Sequence, residues 1–116
     1  MENEKKNIVL EKSFQLALKI INLTTELRKK NRILADQILR SGTSVGANLN
    51  EAQAALTKKE FIAKVSIAAK EIRETKYWLL LLTESNLINK EVDIENLVDD
   101  IIKIITKIIK TSQENN

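Results

Sequence analysis

The stretch LRSGTSVGANLNEAQ, residues 39–53, decides the fold because it can be interpreted either as a loop or as a helix. It contains both glycines of the chain among hydroxyl and amide side chains, a composition typical of turns. The apolar residues nevertheless keep a helical spacing, since Val45 follows Ile38 by seven positions and Gly42 lies where an apolar residue is missing. We therefore predict a helix through both glycines, at a cost of about 1 kcal/mol per glycine relative to alanine.

The two glycines, Gly42 and Gly46, are four residues apart and therefore share one face of this helix. A neighbouring backbone or a bulky side chain can approach such a face closely, and Trp78 is the bulky candidate. A phosphate-binding glycine loop is the alternative, but the spacing matches neither a Walker motif nor a dinucleotide-binding motif. The sequence thus favours a packing role for both glycines.

The composition excludes several kinds of chemistry. The chain has no cysteine and no histidine, which removes disulfides, thiolate metal sites and the commonest general base. Its net charge of +3 over 116 residues permits contacts with nucleic acid or an anionic surface without requiring them. No apolar run approaches the roughly 20 residues of a membrane span, and the start does not resemble a signal peptide. We expect a cytoplasmic protein that does not insert into membranes.

The remaining pattern is that of an all-α protein. Proline is absent, and the dominant Leu, Ile, Ala, Lys and Glu residues favour helix. Apolar periodicity predicts four helices, at about residues 8–29, 32–55, 58–85 and 94–111. Short turns between consecutive helices favour antiparallel neighbours. We therefore predict a single domain, residues 1–116, folded as an up-down-up-down antiparallel four-helix bundle.

Capping signals mark where the helices begin. Asn31 is a plausible N-cap for the second helix. Thr57 and Glu60 form a capping box for the third helix, and Leu56 and Phe61 occupy the two positions of a hydrophobic staple. These signals predict a tight turn between the second and third helices.

The fourth helix, for which Asp93 is the predicted N-cap, has an apolar surface wider than a bundle helix needs. Two adjacent stripes cover about 160° of its circumference, where about 100° suffices. Core packing explains this better than a membrane-surface helix does, and the excess width predicts contact with another subunit. The stripes are Ile94, Leu97, Ile101, Ile104 and Ile108, and beside them Val98, Ile102, Ile105 and Ile109.

The core-facing residues of the first and third helices follow from the same period. On the first helix two neighbouring lines are candidates, namely Leu10, Phe14, Ala17, Ile21 and Thr24, and Leu16, Ile20, Leu23 and Leu27. On the third helix the predicted seam is Phe61, Val65, Ala68, Ile72, Thr75, Leu79 and Leu82.

Polar side chains form matching lines on the second and third helices. These are Arg40, Ser44, Asn48 and Glu51 on the second helix, and Glu71, Glu74 and Trp78 on the third. Carboxylates projecting from two helices resemble di-metal bundles, but those sites also use histidines, so a carboxylate-only magnesium site is the remaining metal hypothesis. In an antiparallel hairpin Arg40 lies level with Glu71 and Glu74. We favour a half-buried network of arginine, glutamate and asparagine that fixes helix register, or solvated pairs four residues apart. We predict no catalytic residue, no metal ligand and no cofactor.

Positive charge gathers in three places. These are Arg28, Lys29, Lys30 and Arg32 at the first turn, Lys58 and Lys59 at the second turn, and Lys103, Lys107 and Lys110 on the outer face of the fourth helix. The first two groups should lie at opposite ends of the bundle. Each group can contact phosphates, although solvent-facing lysine is the ordinary explanation. No aromatic residues interleave with them, so stacking on single-stranded bases is not indicated.

At residues 37–82 the sequence resembles the four-helix-bundle proteins encoded in intervening sequences of bacterial 23S ribosomal RNA genes. The family pattern is matched by Ser44, Asn48 and Glu51, by Lys58 to Ile62, and by Ala68, Glu71 or Glu74, and Trp78 with Leu79. Gly46 stands where many relatives have proline, and Ala52 where many have glycine.

This resemblance implies an up-down-up-down bundle that assembles as a ring-like homopentamer. It also implies kinship with the accessory variability proteins of diversity-generating retroelements, which are basic pentamers that bind nucleic acid and reverse transcriptase. Fold and assembly follow from the resemblance, whereas function follows only by analogy.

We therefore expect a non-enzymatic, oligomeric helical protein that binds structured RNA or DNA, such as ribosomal RNA, through phosphate contacts. The predicted contact residues are Arg28, Lys29, Lys30, Arg32, Lys58 and Lys59. A protein-interaction scaffold or accessory subunit without a nucleic-acid role is the alternative. An enzyme using a metal would need Glu51, Glu71 and Glu74 to converge on one cavity. No small-molecule substrate is expected.

Overall fold

The computed structural model describes the backbone of residues 2–114 and the side chains of residues 7–114. Within this part all regular structure is helical: α1 (Glu2–Lys30), α2 (Arg32–Gln53), α3 (Lys58–Glu84) and α4 (Val92–Glu114). In the described residues α1 and α3 each pack against α2 and α4, so α1 and α3 occupy diagonal corners. Short turns make consecutive helices antiparallel. The predicted all-α, up-down-up-down four-helix bundle is confirmed.

Residues 39–53 are helical throughout, which confirms the helical interpretation of the glycine stretch. The predicted neighbour of the glycines was wrong, because their face is turned toward α1 and not toward Trp78 of α3. A Cβ atom on Gly42 would lie 3.0 Å from Cγ1 of Ile20, and one on Gly46 would lie 3.3 Å from Oγ of Ser13. The glycines thus allow α1 to approach α2 closely.

The third helix buries the predicted seam, from Val65 to Leu82, with Phe61 half-buried at its start. On α1 only the second predicted line is right. Phe14 and Ile21 of the first line are 64% and 45% exposed. The reason is that α1 turns a different set of residues, which includes two hydroxyl side chains, toward the core. This set is Val9, Ser13, Leu16, Ile20, Thr24 and Leu27.

The wide apolar surface of α4 packs within the bundle. Its two stripes are buried or half-buried, because α4 contacts both α1 and α3. Much of this width is therefore used inside the bundle, and contact of α4 with another subunit stays a prediction. Large apolar side chains are exposed instead on the outer faces of α1 and α3. They include Phe14, Leu18 and Ile21 on α1, and Tyr77, Leu80 and Leu81 on α3.

The predicted N-caps of α2 and α3 are confirmed, whereas the predicted hydrophobic staple does not form. Asn31 Oδ1 accepts a hydrogen bond from the Leu34 N–H at 3.0 Å, and Thr57 Oγ1 accepts one from the Glu60 N–H at 3.0 Å. The Glu60 carboxylate in turn accepts from the Leu56 N–H at 3.0 Å. Leu56 is 91% exposed, because α2 ends at Gln53 and the turn carries this side chain into solvent.

The outer helix ends differ from the predicted ones. α1 begins at Glu2 rather than near residue 8, and α4 spans Val92–Glu114 rather than about 94–111. The added segments are rich in polar residues that sustain helix without belonging to an apolar stripe. Asp93 is not the N-cap, since the Glu95 N–H donates to the Glu91 carbonyl oxygen at 2.9 Å. The single domain spanning residues 1–116 stays a prediction, because residues 1, 115 and 116 lie outside the described part.

Candidate nucleic-acid interface

The six predicted contact residues occupy two opposite ends of the bundle. Four of them flank the turn between α1 and α2, while Lys58 and Lys59 begin α3. Because α2 has 22 residues, about 33 Å of helix separates the two groups. Within one chain they form two patches and not one continuous surface.

At the first end most of the cationic side chains have partners. Arg28 pairs with Asp36 at 2.7 Å, which ties α1 to α2 across the turn. Lys29 pairs with Glu26 at 3.4 Å, and Lys30 donates to the carbonyl oxygen of Leu87 at 3.5 Å. Arg32 is exposed and has no ion pair with any described residue. The electrostatic potential of this end is therefore weaker than its four cations suggest.

At the second end Lys58 and Lys59 are both exposed, and neither has an ion pair within residues 7–114. They occupy the first positions of α3, where the unpaired N–H groups and the helix dipole add partial positive charge. Within residues 7–114 these two cations are therefore not neutralised by an ion pair, in contrast to most cations at the first end.

The three glutamates proposed for a metal site are divided between two separate groups of ion pairs. Arg40 contacts both Glu71 oxygens at 3.1 and 3.2 Å and also pairs with Glu74. The hydrogen bond to Glu71 raises the pKa of Arg40 above its ordinary value, with burial acting in the opposite direction. Glu51 pairs instead with Lys64 at 2.7 Å. No group of three or more acidic side chains in the described part could hold a metal ion.

Two other residues of the polar line on α2, Ser44 and Asn48, form hydrogen bonds within their own helix. Ser44 Oγ donates to the Arg40 carbonyl oxygen at 2.7 Å, and Asn48 Nδ2 donates to the Ser44 carbonyl oxygen at 2.9 Å. The predicted participation of asparagine in the network between α2 and α3 was therefore wrong. An asparagine at position i reaches the carbonyl four residues earlier and needs no partner on α3.

The contact between α2 and α3 includes a buried hydroxyl pair that the sequence analysis missed. Ser41 and Thr75 are both fully buried, and their side-chain oxygens are hydrogen-bonded at 2.9 Å. Thr75 was part of the predicted apolar seam. Its contact with Ser41 could have been inferred only by aligning α2 and α3 along the bundle axis.

Trp78 lies half-buried on the α2 side of α3. Its ring meets the exposed Tyr77 ring edge-on, with centroids 5.2 Å apart. Its indole N–H is buried and has no hydrogen-bond partner among the described residues. Trp78 thus contributes apolar packing, while its donor stays unused within one chain.

A further group of exposed cations lies on the outer faces of α3 and α4, and we call it the α3–α4 basic face. It consists of Lys70, Arg73, Lys103, Lys107 and Lys110. None of these side chains has an ion pair with another described residue. The lysines of α4 were predicted from the sequence, whereas Lys70 and Arg73 were not. They could have been found because they lie on the side of α3 opposite the buried residues Val65 and Ile72.

The model of the family described as "23S rRNA-intervening sequence protein" matches residues 5–110, which include every helix-to-helix contact discussed above. The chain belongs to this family. This confirms the resemblance inferred from residues 37–82.

Among solved structures, this 23S rRNA-intervening sequence protein is similar to a protein of unknown function from the S23 ribosomal protein family of Bacteroides thetaiotaomicron VPI-5482. The two are 43% identical over 91% of this chain and 98% of that chain, with a TM-score of 0.86. The comparison with curated proteins gives no match. None of the described helices has the length and apolar character that a membrane crossing requires.

Proposed function

We propose that this 23S rRNA-intervening sequence protein is a non-enzymatic, oligomeric protein of the cytoplasm that binds structured RNA or DNA through phosphate contacts. One observation carries the proposal: several exposed cations have no carboxylate partner in the described part, among them Arg32, Lys58 and Lys59. Such side chains can neutralise phosphates and release counterions without first breaking an internal ion pair.

Self-association as a homopentamer is part of the same proposal. The exposed apolar residues of α1 and α3 lie on diagonal helices and therefore on opposite sides of the bundle. Two different apolar faces suit a heterologous contact, in which one face of each copy meets the other face of the next and a ring can close. Repetition around a ring would multiply a weak phosphate contact.

The absence of an enzymatic role is supported by how the carboxylates of α2 and α3 are used. Glu71 and Glu74 are held by Arg40, and Glu51 is held by Lys64. A general base or metal ligand would have to leave such a pair. We therefore propose no cofactor and no small-molecule substrate.

The test is a titration of a labelled fragment of 23S ribosomal RNA with the full chain at several salt concentrations, followed by fluorescence anisotropy. We expect the logarithm of the affinity to fall linearly with the logarithm of the salt concentration. An affinity that does not depend on salt would contradict the proposal. Light scattering on the same samples measures the oligomer mass.

A protein-interaction scaffold is the second candidate, and the surface around Trp78 favours it. The exposed Tyr77 ring, which packs edge-on against Trp78, offers apolar area to a protein partner. A defined protein recovered in a pull-down after nuclease treatment, together with no RNA binding by the purified chain, would favour this candidate.

A further inference from the structure

We propose that the α3–α4 basic face is the principal phosphate-binding surface of the protein and that it contacts the backbone of a nucleic-acid duplex. This inference rests on the proposed function and specifies where the nucleic acid lies. It moves the main contact away from the two ends of the bundle, where the sequence alone placed it.

The register between α3 and α4 brings cations of the two helices to a similar level along the bundle. Lys76 pairs with Asp99 at 2.9 Å, which fixes the level of one helix against the other. Arg73 precedes Lys76 by three residues, and Lys103 follows Asp99 by four. Because the helices are antiparallel, Arg73 and Lys103 both lie about one turn from this ion pair, toward the same end of the bundle.

The cations of the next turn extend this arrangement. Lys70 is three residues before Arg73, and Lys107 is four residues after Lys103, so each helix contributes a second cation in the same direction. Lys110 continues the row on α4. Cations therefore lie on both helices over about 10 Å of the bundle axis, with Lys107 on the side of α4 that also carries Asp100.

Few acidic side chains near these cations are without a partner. The carboxylates nearest in sequence already have partners, since Asp99 pairs with Lys76 and Asp100 with Lys12. Glu84 and Asp93 lie at the far ends of α3 and α4, next to the turn that joins them. Glu114, four residues after Lys110, is the one acidic side chain of the described part of α4 beyond Asp100. Within residues 7–114 the basic face thus has one unpaired carboxylate near it, that of Glu114, against five unpaired cations, so its charge stays positive.

The spacing of the cations indicates the kind of partner. Lys103, Lys107 and Lys110 lie at i, i+4 and i+7, so they are spaced over about 10 Å along a straight helix. A rigid row of cations fits the regular phosphates of a duplex, which proteins recognise by shape and backbone contacts. Tyr77 is the one exposed aromatic ring next to the face, too little for a stacking platform for single strands.

An anionic membrane is a less suitable partner for the same cations. A helix that lies in a membrane surface inserts apolar side chains beside its lysines. On α4 the isoleucines are buried or half-buried. The exposed apolar side chains of α3, Tyr77, Leu80 and Leu81, lie toward the turn between α3 and α4, where the proposed contact between copies would cover them. The lysines would then contact lipid headgroups without the apolar term that stabilises such binding.

The experiment compares two variants that each lose four positive charges. The face variant combines Lys70→Gln, Arg73→Gln, Lys103→Gln and Lys107→Gln. The end variant combines Lys29→Gln, Arg32→Gln, Lys58→Gln and Lys59→Gln. All eight side chains are exposed, so thermal melting should show both variants folded, and light scattering should show the wild-type mass.

The probes are an RNA duplex, a DNA duplex of the same sequence, one single RNA strand and phosphatidylserine vesicles, each titrated at several salt concentrations. For both duplexes we expect the salt slope of the face variant to fall by about 4, near 1 for each lost phosphate contact. The end variant should lose much less. A charge-retaining variant with Lys70→Arg, Lys103→Arg and Lys107→Arg should keep the wild-type slope.

The outcomes separate this inference from the proposed function. If the end variant loses the slope and the face variant keeps it, the inference is wrong while nucleic-acid binding stands. If the wild-type chain binds neither duplex, the proposed function fails and the inference fails with it. Tighter binding to vesicles or to the single strand, or a changed oligomer mass of the face variant, would also overturn the assignment of a duplex to this surface.

Discussion

The third helix carries two sets of charges that the bundle treats in opposite ways. Toward α2, Glu71 and Glu74 bind Arg40, and Lys64 binds Glu51. On the outer side, Lys70 and Arg73 have no ionic partner within the described residues. Charges of the first set hold two helices in register, whereas charges of the second set are free to meet a ligand. The two sets also differ in exposure, since Lys64, Glu71 and Glu74 are half-buried whereas Lys70 and Arg73 are exposed.

The contact between α1 and α2 depends on close packing and not on charge. A substitution there should have the largest effect on stability. In Gly42→Leu the new side chain would begin 3.0 Å from the buried and stiff Ile20. We expect this substitution to lower the free energy of unfolding by about 2–3 kcal/mol in urea titration, because overpacking exceeds the gain in helix propensity.

Gly46→Ala, compared with Gly42→Ala, is the size-matched control for this contact. Its Cβ would meet the small Ser13 hydroxyl at 3.3 Å, and the helix-propensity gain of about 1 kcal/mol should roughly cancel the crowding. Equal losses at the two glycines would contradict the assignment of Gly42 as the tighter contact.

The charged contact between α2 and α3 should have a smaller effect. In Arg40→Met the Glu71 carboxylate, whose side chain is 19% exposed, loses its partner and faces Glu74 without a cation between them. We expect a loss of about 1–2 kcal/mol in the free energy of unfolding, since removing one partner leaves a half-buried charge uncompensated. The salt slope of duplex binding should not change, and a reduced slope would show that Arg40 contacts phosphate.

Two lysines of α3 offer the most direct crossed comparison, with the smallest effects. Lys64→Gln removes an ion pair and should cost up to about 1 kcal/mol of stability without changing the salt slope. Lys70→Gln should leave stability within about 0.5 kcal/mol and lower the slope by about 1. The opposite assignment of effects would show that pairing within the chain does not determine which lysines bind nucleic acid.

The course of the chain was predictable from the sequence because helix period is a local property. The spacing of Ile38, Gly42 and Val45 was enough to show that α2 continues through the glycines. The helix packed on that face was not predictable in the same way. α2 has neighbours on both sides, and the apolar period does not say which neighbour receives the glycines. The structure places α1 there, through Ile20 and Ser13.

The candidate interface was predictable only in part, for a similar reason. Clusters that are contiguous in sequence, such as RKKNR at residues 28–32, are easy to recognise but are partly neutralised by Glu26 and Asp36. Lys70 and Arg73 are isolated in the sequence and join the lysines of α4 only when the two helices are aligned. Which side chains of α3 and α4 lie side by side depends on how the assembled bundle aligns the two helices. The spacing of residues along one helix does not show this alignment.

Lysine footprinting on the unmodified protein can show which of its surfaces contacts the nucleic acid. The chain is acetylated with and without an RNA duplex, and the modification of each lysine is measured by mass spectrometry. We expect RNA to reduce the acetylation of the lysines of the α3–α4 basic face. The acetylation of two paired lysines and of the four lysines at the bundle ends should change little. The protected set is Lys70, Lys103, Lys107 and Lys110, and the reference set is Lys64, Lys76, Lys29, Lys30, Lys58 and Lys59. Protection confined to the bundle ends, or spread equally over both sets, would contradict the location of the contact on the α3–α4 basic face.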